Sequence, residues 1–336
     1  MMAPPRSILV INVTRIGDTL LTTPALRALA EAWPAAKLTV LAHPKRAEIL
    51  RHLPFLARVG GIEKQRAVFM GHWPGKTYDL ALVYGHDQAL FDYALRVAGK
   101  VVAFHQADDA INARLFKAVD EPLPYSEHAV DSALRLTAAL GIRALSRRLA
   151  YHVTGAERRA AEARLSKGGM TGAYPLIGLQ AASFPTKAYR DWPLDHFIQI
   201  CRRISAQYPN AAFLLFGGPD DRQRTAALAG QIGPRTMQLA GLPLRPTAAC
   251  MSLLTAYVGV DTGPTHIMSS FDIPMIGLYH CLLPRSIYGP LDHPLDFSLD
   301  HPRLGGECSE QTSMAEITVD QVHERLVAAL AASARG

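Results

Sequence analysis

The residues best suited to chemistry lie in two short stretches near opposite ends of the chain. Val260-Asp261-Thr262-Gly263-Pro264-Thr265-His266 follows the apolar run Ala256-Tyr257-Val258-Gly259 and leads into Ile267-Met268-Ser269-Ser270. This reads as a buried strand that ends in an acid, turns at Gly263 and opens a helix with Pro264 in its first turn, where the missing N–H costs nothing. Free amides and the positive end of a helix dipole then converge beside a carboxylate, a hydroxyl and an imidazole. That setting suits a phosphate joined to something rich in hydroxyls. Near the start, Ile8-Leu9-Val10-Ile11 runs into Arg15-Ile16-Gly17-Asp18 and then Thr19-Leu20-Leu21-Thr22-Thr23-Pro24-Ala25-Leu26, again an acid beside a glycine at the mouth of a helix. Asp, Thr and Gly at a strand end are ordinary turn formers, and the recurrence at both ends lifts these two above that reading.

The elements that must hold these groups alternate. Leu26, Leu29, Ala30 and Trp33 share one face of a helix closed by Pro34, and Lys37–Leu41 is the next strand. Ala47–Phe55 has a helical pattern up to Pro54, and Asp79–Tyr84 and Val101–Phe104 are further short strands. A second series starts after the polar, glycine-containing stretch 166–172, taken as the domain boundary. It comprises strands at Leu176–Leu179, Ala212–Phe216, Met237–Gly241, Ala256–Val260 and Pro274–Tyr279, with a helix after Pro193 carrying Phe197, Ile200, Cys201 and Ile204 on one face. Thr318 and Gln321 form a capping box, with Ile317 and Val322 as a hydrophobic staple, before a last helix running to about Ala332. This is the βαβ rhythm of mostly parallel sheets covered on both faces, an α/β fold.

Composition bounds the partners. At 336 residues, 49% hydrophobic and 19% charged, the chain has material for two cores of roughly 150 residues each. The longest apolar runs, such as Ala211–Phe216, are far short of the roughly 20 residues a bilayer crossing needs. The leading Met1-Met2-Ala3-Pro4-Pro5-Arg6 passes straight into strand-like sequence without a signal-peptide core, so the expectation is a cytoplasmic protein. Cys201, Cys250, Cys281 and Cys308 fit neither a zinc site nor a small disulfide scaffold, and reduced thiols with no metal are expected. The net charge of +6 is compatible with phosphorylated ligands or anionic lipid. No long basic run or RNA-binding signature argues for nucleic acid.

Further polar groups border the strands. Lys187 and Arg190 lie in the loop Gln180–Pro193, at the carboxyl edge of a strand where open α/β sheets bind ligands. Gly217-Gly218-Pro219-Asp220-Asp221 offers close approach and an acid suited to ribose hydroxyls. Arg58, Lys64, Arg66 and Arg114 read individually as solvated loop residues and together as the lining for an anionic acceptor; His128, near a helix start, reads as a cap or packing residue or as part of that lining.

Together, the Arg15–Leu26 motif, the Lys187–Pro193 loop, Gly217-Gly218-Pro219 and Asp261–His266 resemble glycosyltransferase family 9, the ADP-heptose:lipopolysaccharide heptosyltransferases, over nearly the whole chain and in the right order. The resemblance implies the GT-B architecture: an acceptor domain at 1–167 and a nucleotide-sugar domain at 168–316 facing across a cleft, with helix 317–336 crossing back onto the first. It implies inverting transfer of heptose from ADP-heptose to the lipopolysaccharide inner core, with no cofactor and with peripheral contact at the inner membrane. Asp18 matches the general base, and Asp261 the acid that holds sugar hydroxyls. Thr262, Gly263 and His266 match the diphosphate turn. Ser183, Thr186, Asp221 and the stretch Gly241-Leu242 match further donor contacts.

The family usually has Lys two residues before Trp-Pro, where this chain has Arg190, with Lys187 three residues upstream. Arg190 and Lys187 therefore both remain candidates for neutralising the leaving diphosphate. Rival readings are a nucleotide-sugar epimerase of similar shape, a transferase for another sugar, and a non-catalytic nucleotide-binding protein. An oxidoreductase is disfavoured, because no Gly-X-Gly-X-X-Gly follows the first strand.

Overall fold

The structure, a computed structural model, describes residues 3–72, 75–183 and 185–334; Met1, Met2, Trp73, Pro74, Phe184, Arg335 and Gly336 lie outside the described residues. The chain divides into two compact units, residues 1–152 and 153–336.

In the first unit, β1 (Ser7–Asn12), β2 (Lys37–Ala42), β3 (Arg58–Gly61), β4 (Tyr78–Tyr84), β5 (Ala98–Phe104) and β6 (Lys117–Val119) form one parallel sheet in the order β3-β2-β1-β4-β5-β6. Alternation along β1 sends Ile8 and Val10 to one core and Leu9 and Ile11 to the other, so both faces are covered. The second unit repeats the plan with β7 (Leu176–Gln180), β8 (Ala212–Phe216), β9 (Thr236–Gln238), β10 (Ala256–Val260), β11 (Met275–Tyr279) and β12 (Leu299–Asp300), in the order β12-β11-β10-β7-β8-β9. Read from β9, that is the same winding as the first sheet. In each sheet the strand order reverses between two central strands, β1 and β4 or β7 and β10, and ligands of open α/β sheets bind beyond the carboxyl ends at that point.

The structure departs from the sequence expectations in several places. Arg58, read as a loop residue, opens the short edge strand β3, Lys117 opens the edge strand β6, and the helix expected over Ala47–Phe55 is only a 3-10 turn at Ala47–Leu50. The two compact units part at 152/153, whereas the stretch read as a boundary from the sequence lies at 166–172. Helix Gly155–Lys167, capped by Thr154 and Glu157, packs on helix Leu244–Met251, and the glycines after it end that helix rather than link domains, Gly169 and Gly172 having φ of +77° and +68°.

The last helix, Val319–Ser333, does form on its capping box, but its apolar face is built into the second unit. Val322, Leu326, Ala329 and Leu330 join that core, and the helix packs on helix Leu194–Gln207, β10 and β11. Lastly, Cys281 and Cys308 form a disulfide with Cα atoms 6.1 Å apart, against the expectation of reduced thiols. They follow the adjacent strands β11 and β12, which brings residues 27 positions apart to one end of the sheet. Cys201 and Cys250 are free and buried, and burial pushes both thiols up, away from reactivity.

Candidate active site

At the carboxyl end of β10, Asp261 is 3% exposed. Its Oδ2 accepts a hydrogen bond from Arg190 Nη1 at 2.8 Å, and its Oδ1 lies 3.6 Å from Nε2 of the buried His266. The turn that carries it is braced from beneath. A Cβ at Gly259 would collide with the ring and hydroxyl of Tyr257, so glycine there lets the ring lie along the sheet. The Tyr257 hydroxyl then sits 2.9 Å from Thr265 Oγ1, which donates to Val260 O at 2.6 Å. Thr262 occupies the N-cap of helix Gly263–Met268 without capping it through its side chain, and Pro264 in the first turn brings no N–H.

Arg190 comes from the loop after β7, on the other side of the strand-order reversal. Ser183 N–H donates to Asp191 Oδ1 at 2.7 Å, Ser183 Oγ donates to Lys187 O at 2.7 Å, and Arg224 Nη1 donates to Asp191 Oδ2 at 2.6 Å. Trp192, fully buried, donates its indole N–H to Ile317 O at 2.8 Å. The chain is thus pinned on both sides of the 3-10 stretch Pro185–Arg190. Within it the Lys187 ammonium and the Arg190 guanidinium lie 5.5 and 5.6 Å from the Tyr189 ring centre, and that ring packs edge-on against His280 at 5.0 Å. Lys187 Nζ is also 3.9 Å from Glu310 Oε1. Thr186 is exposed in the same stretch.

The other expected donor residues lie at neighbouring strand ends. Asp221 Oδ2 accepts the Gly218 N–H at 2.7 Å and so shapes the turn after β8. Gly241, at φ +80°, donates to Gly217 O at 3.0 Å, and Leu242 N–H turns back to Leu239 O. These pieces border β8, which pairs with β7, and β9, which pairs with β8.

In the first unit Asp18 is exposed in the first turn of helix Ile16–Leu21, whose N-cap is Arg15. It is not a capping aspartate, and among the described residues its carboxylate has no hydrogen-bond or ion-pair partner. The loop before it is held by buried Asn12 at the end of β1: Nδ2 donates to Thr22 Oγ1 at 2.9 Å, and Oδ1 accepts from Thr14 Oγ1 at 2.7 Å. Arg46 Nη1 adds a bond to Thr14 O at 2.6 Å.

The five expected acceptor residues do not form one group. Lys64 pairs with Asp87 at 3.0 Å and Arg66 with Glu63 at 3.3 Å, both past the carboxyl end of β3. Arg58 begins β3, and Arg114, 3.9 Å from Asp92, precedes β6, so both lie toward the amino ends of strands. His128 is buried and caps helix Ala129–Ala138, its Nδ1 accepting the Val130 N–H at 3.1 Å, which is the capping alternative.

Sequence reasoning missed Tyr189, Glu310, Asn12 and Arg224. Arg224 and Glu310 are single charges in unpatterned surroundings, whereas Asn12 could have been found as a polar residue closing an otherwise apolar strand. It also missed that His280 Nδ1 and the sulfurs of Cys281 and Cys308 cluster within 4.8 Å. The sulfurs are bonded to each other, and Nδ1 accepts the Leu282 N–H at 3.2 Å.

Two doubly wound parallel units, with an acid and a cation joined at one strand-order reversal, match the GT-B architecture. The chain belongs to glycosyltransferase family 9 (heptosyltransferase), whose profile matches residues 77–302, more than half of its length. It is 24% identical over 283 residues to lipopolysaccharide heptosyltransferase 3 of Escherichia coli, covering 78% of this chain and 80% of that protein. The solved structure of a family 9 glycosyl transferase from Veillonella parvula superposes with a TM-score of 0.83 at 20% identity, covering 97% of each chain. That of the Escherichia coli ADP-heptose lps heptosyltransferase II does so with a TM-score of 0.77 at 20% identity, covering 97% of this chain and 99% of the other.

Proposed function

We propose that this heptosyltransferase moves heptose from ADP-heptose to the inner core of lipopolysaccharide in a single inverting displacement. The observation that carries the reading is the Arg190–Asp261 pair beside uncapped amides at the β7/β10 reversal, a cation and an acid set where a diphosphate and sugar hydroxyls are bound. The names of the relatives support donor and acceptor: one is a lipopolysaccharide heptosyltransferase and another an ADP-heptose enzyme.

In this reading Asp18 removes the proton from an acceptor hydroxyl as that oxygen attacks the anomeric carbon opposite the nucleotide. An exposed carboxylate with no hydrogen-bond or ion-pair partner among the described residues is free for that task. Charge growing on departing ADP is met by Arg190, by Lys187 and by the amides after Asp261. Arg190 is the stronger of the two cations for this role, because it is less exposed and already fixed by Asp261. Asp261 and His266 hold sugar hydroxyls and phosphate oxygens, and Thr262 and Gly263 complete the turn. Asp221 and the Gly241-Leu242 turn take the ribose and adenine. The leaving-group charge is carried by side chains and amides, so the scheme calls on no cofactor. A lipid-anchored acceptor places the enzyme at the cytoplasmic face of the inner membrane as a peripheral protein; among the described residues no helix is long and apolar enough to cross a membrane.

A thermal-shift panel of nucleotide sugars tests donor choice, since a ligand that binds the native state stabilises it in proportion to the logarithm of its concentration over its affinity. ADP-heptose is expected to give the largest shift and to yield an inverted product with a heptose-bearing core acceptor. A larger shift with another sugar, or a changed sugar with donor alone, contradicts the reading.

A further inference from the structure

We propose that Glu310 is the positioning residue for Lys187, and that the Cys281–Cys308 disulfide holds Glu310 in that role. The inference rests on the donor-binding reading above.

Each cation of the candidate site faces an acid, but the two pairs differ. Arg190 and Asp261 are bonded at 2.8 Å with side chains 18% and 4% exposed; Lys187 and Glu310 are 3.9 Å apart at 38% and 59%. The first pair is fixed. The second is a loose, solvated contact that a more highly charged diphosphate can displace. Glu310 therefore keeps Lys187 neutralised until donor arrives, and its negative charge opposes the donor's.

Glu310 is placed there by a short anchored turn. Thr312 N–H donates to Ser309 O, and Ser309 N–H donates to Thr312 Oγ1, each at 3.0 Å, which sets Glu310 at the tip. Residues 302–311 are exposed apart from half-buried Cys308. Downstream the turn is anchored where His280 Nε2 donates to Thr312 O at 3.1 Å; upstream it is anchored by the disulfide to Cys281. Both anchors start from adjacent residues just past β11. Opening the disulfide leaves the upstream side of the turn held no nearer than Arg303, which bonds Glu316.

The opening is a thiol–disulfide exchange with an external dithiol. One reductant thiolate attacks a sulfur and breaks the S–S bond, and the second closes on the resulting mixed disulfide. The reductant leaves as a cyclic disulfide, having given up two electrons, and two protons end on Cys281 and Cys308.

The test is ADP affinity by calorimetry on the full chain, oxidised and then reduced with dithiothreitol, with thiols counted by Ellman's reagent. Glu310→Gln is expected to bind ADP about threefold to fivefold tighter than oxidised wild type, a size set by the weakness of exposed pairs. The donor KM should fall while kcat holds. Reduction should expose two further thiols and tighten wild type by a similar factor, with no added effect in Glu310→Gln. In a Lys187→Ala background the Glu310→Gln effect should shrink toward none.

Wild-type affinity in oxidised Glu310→Gln overturns the positioning role. Reduction that leaves wild-type affinity unchanged, or that tightens Glu310→Gln equally, overturns the disulfide's part. If Lys187→Ala weakens ADP but Glu310→Gln does nothing, the inference alone fails. If Lys187→Ala binds ADP like wild type, the donor role of Lys187 fails first and takes the inference with it.

Discussion

Arg190 and Asp261, 71 positions apart, meet in a 2.8 Å ion pair between the strands where the second sheet reverses its order. Asp261 is nearly buried, so the arginine both compensates that charge and remains partly open to an anionic ligand. The two roles are separable by substitution.

Arg190→Ala should weaken ADP binding at least tenfold and lower stability by about 3–5 kcal/mol, the range for removing one partner of a buried pair. Arg190→Lys should restore much of the stability but only part of the affinity, because an ammonium lacks the planar fork. Calorimetry with ADP and urea titration check the two effects independently.

Asn12→Ala should slow turnover while leaving ADP affinity unchanged. Asn12 bonds to Thr22 and Thr14 and so fixes the loop that leads into the helix bearing Asp18, in the unit that does not hold the donor residues. Steady-state kinetics beside ADP titration separates this outcome from general unfolding.

Glu157 offers a pH signature. Two bonds from Arg245, at 2.5 and 2.6 Å, together with Thr154, hold its carboxyl down at about 2. A depressed folded value means the stabilisation is fully present above the ordinary carboxylate range and is lost as pH falls toward 2. Glu157→Gln should therefore be less stable than wild type at pH 7, with the gap closing as the pH is lowered below 4. Urea midpoints across that range measure it.

Much of this architecture was legible because the buried strands are short apolar runs bounded by turn residues, as in Ile8–Ile11 and Ala256–Val260. Edge strands were not. Arg58-Val59-Gly60-Gly61 and Lys117-Ala118-Val119 are held by backbone pairing to one neighbour and need no apolar face to announce them. The polar helix Gly155–Lys167 buries only Ala161 and Leu165, so its place in the second unit was not legible: it depends on packing against helix Leu244–Met251 and on Glu157 bonding Arg245, 88 positions away. The Cys281–Cys308 bond was hidden for the same reason: only the adjacency of β11 and β12 brings the two together. At the candidate site the strand-end acids could be read from local turn chemistry, whereas Tyr189 and Glu310 acquire meaning only from what folds against Lys187.

The most direct measurement is turnover of ADP-heptose with a heptose-bearing core acceptor by Asp18→Asn, set beside its ADP affinity. Among the described residues the Asp18 side chain has no hydrogen-bond or ion-pair partner, so the variant should fold and bind ADP as wild type does while transfer falls by about 10²–10⁴-fold, the range for losing a general base. Transfer at close to the wild-type rate would contradict the account.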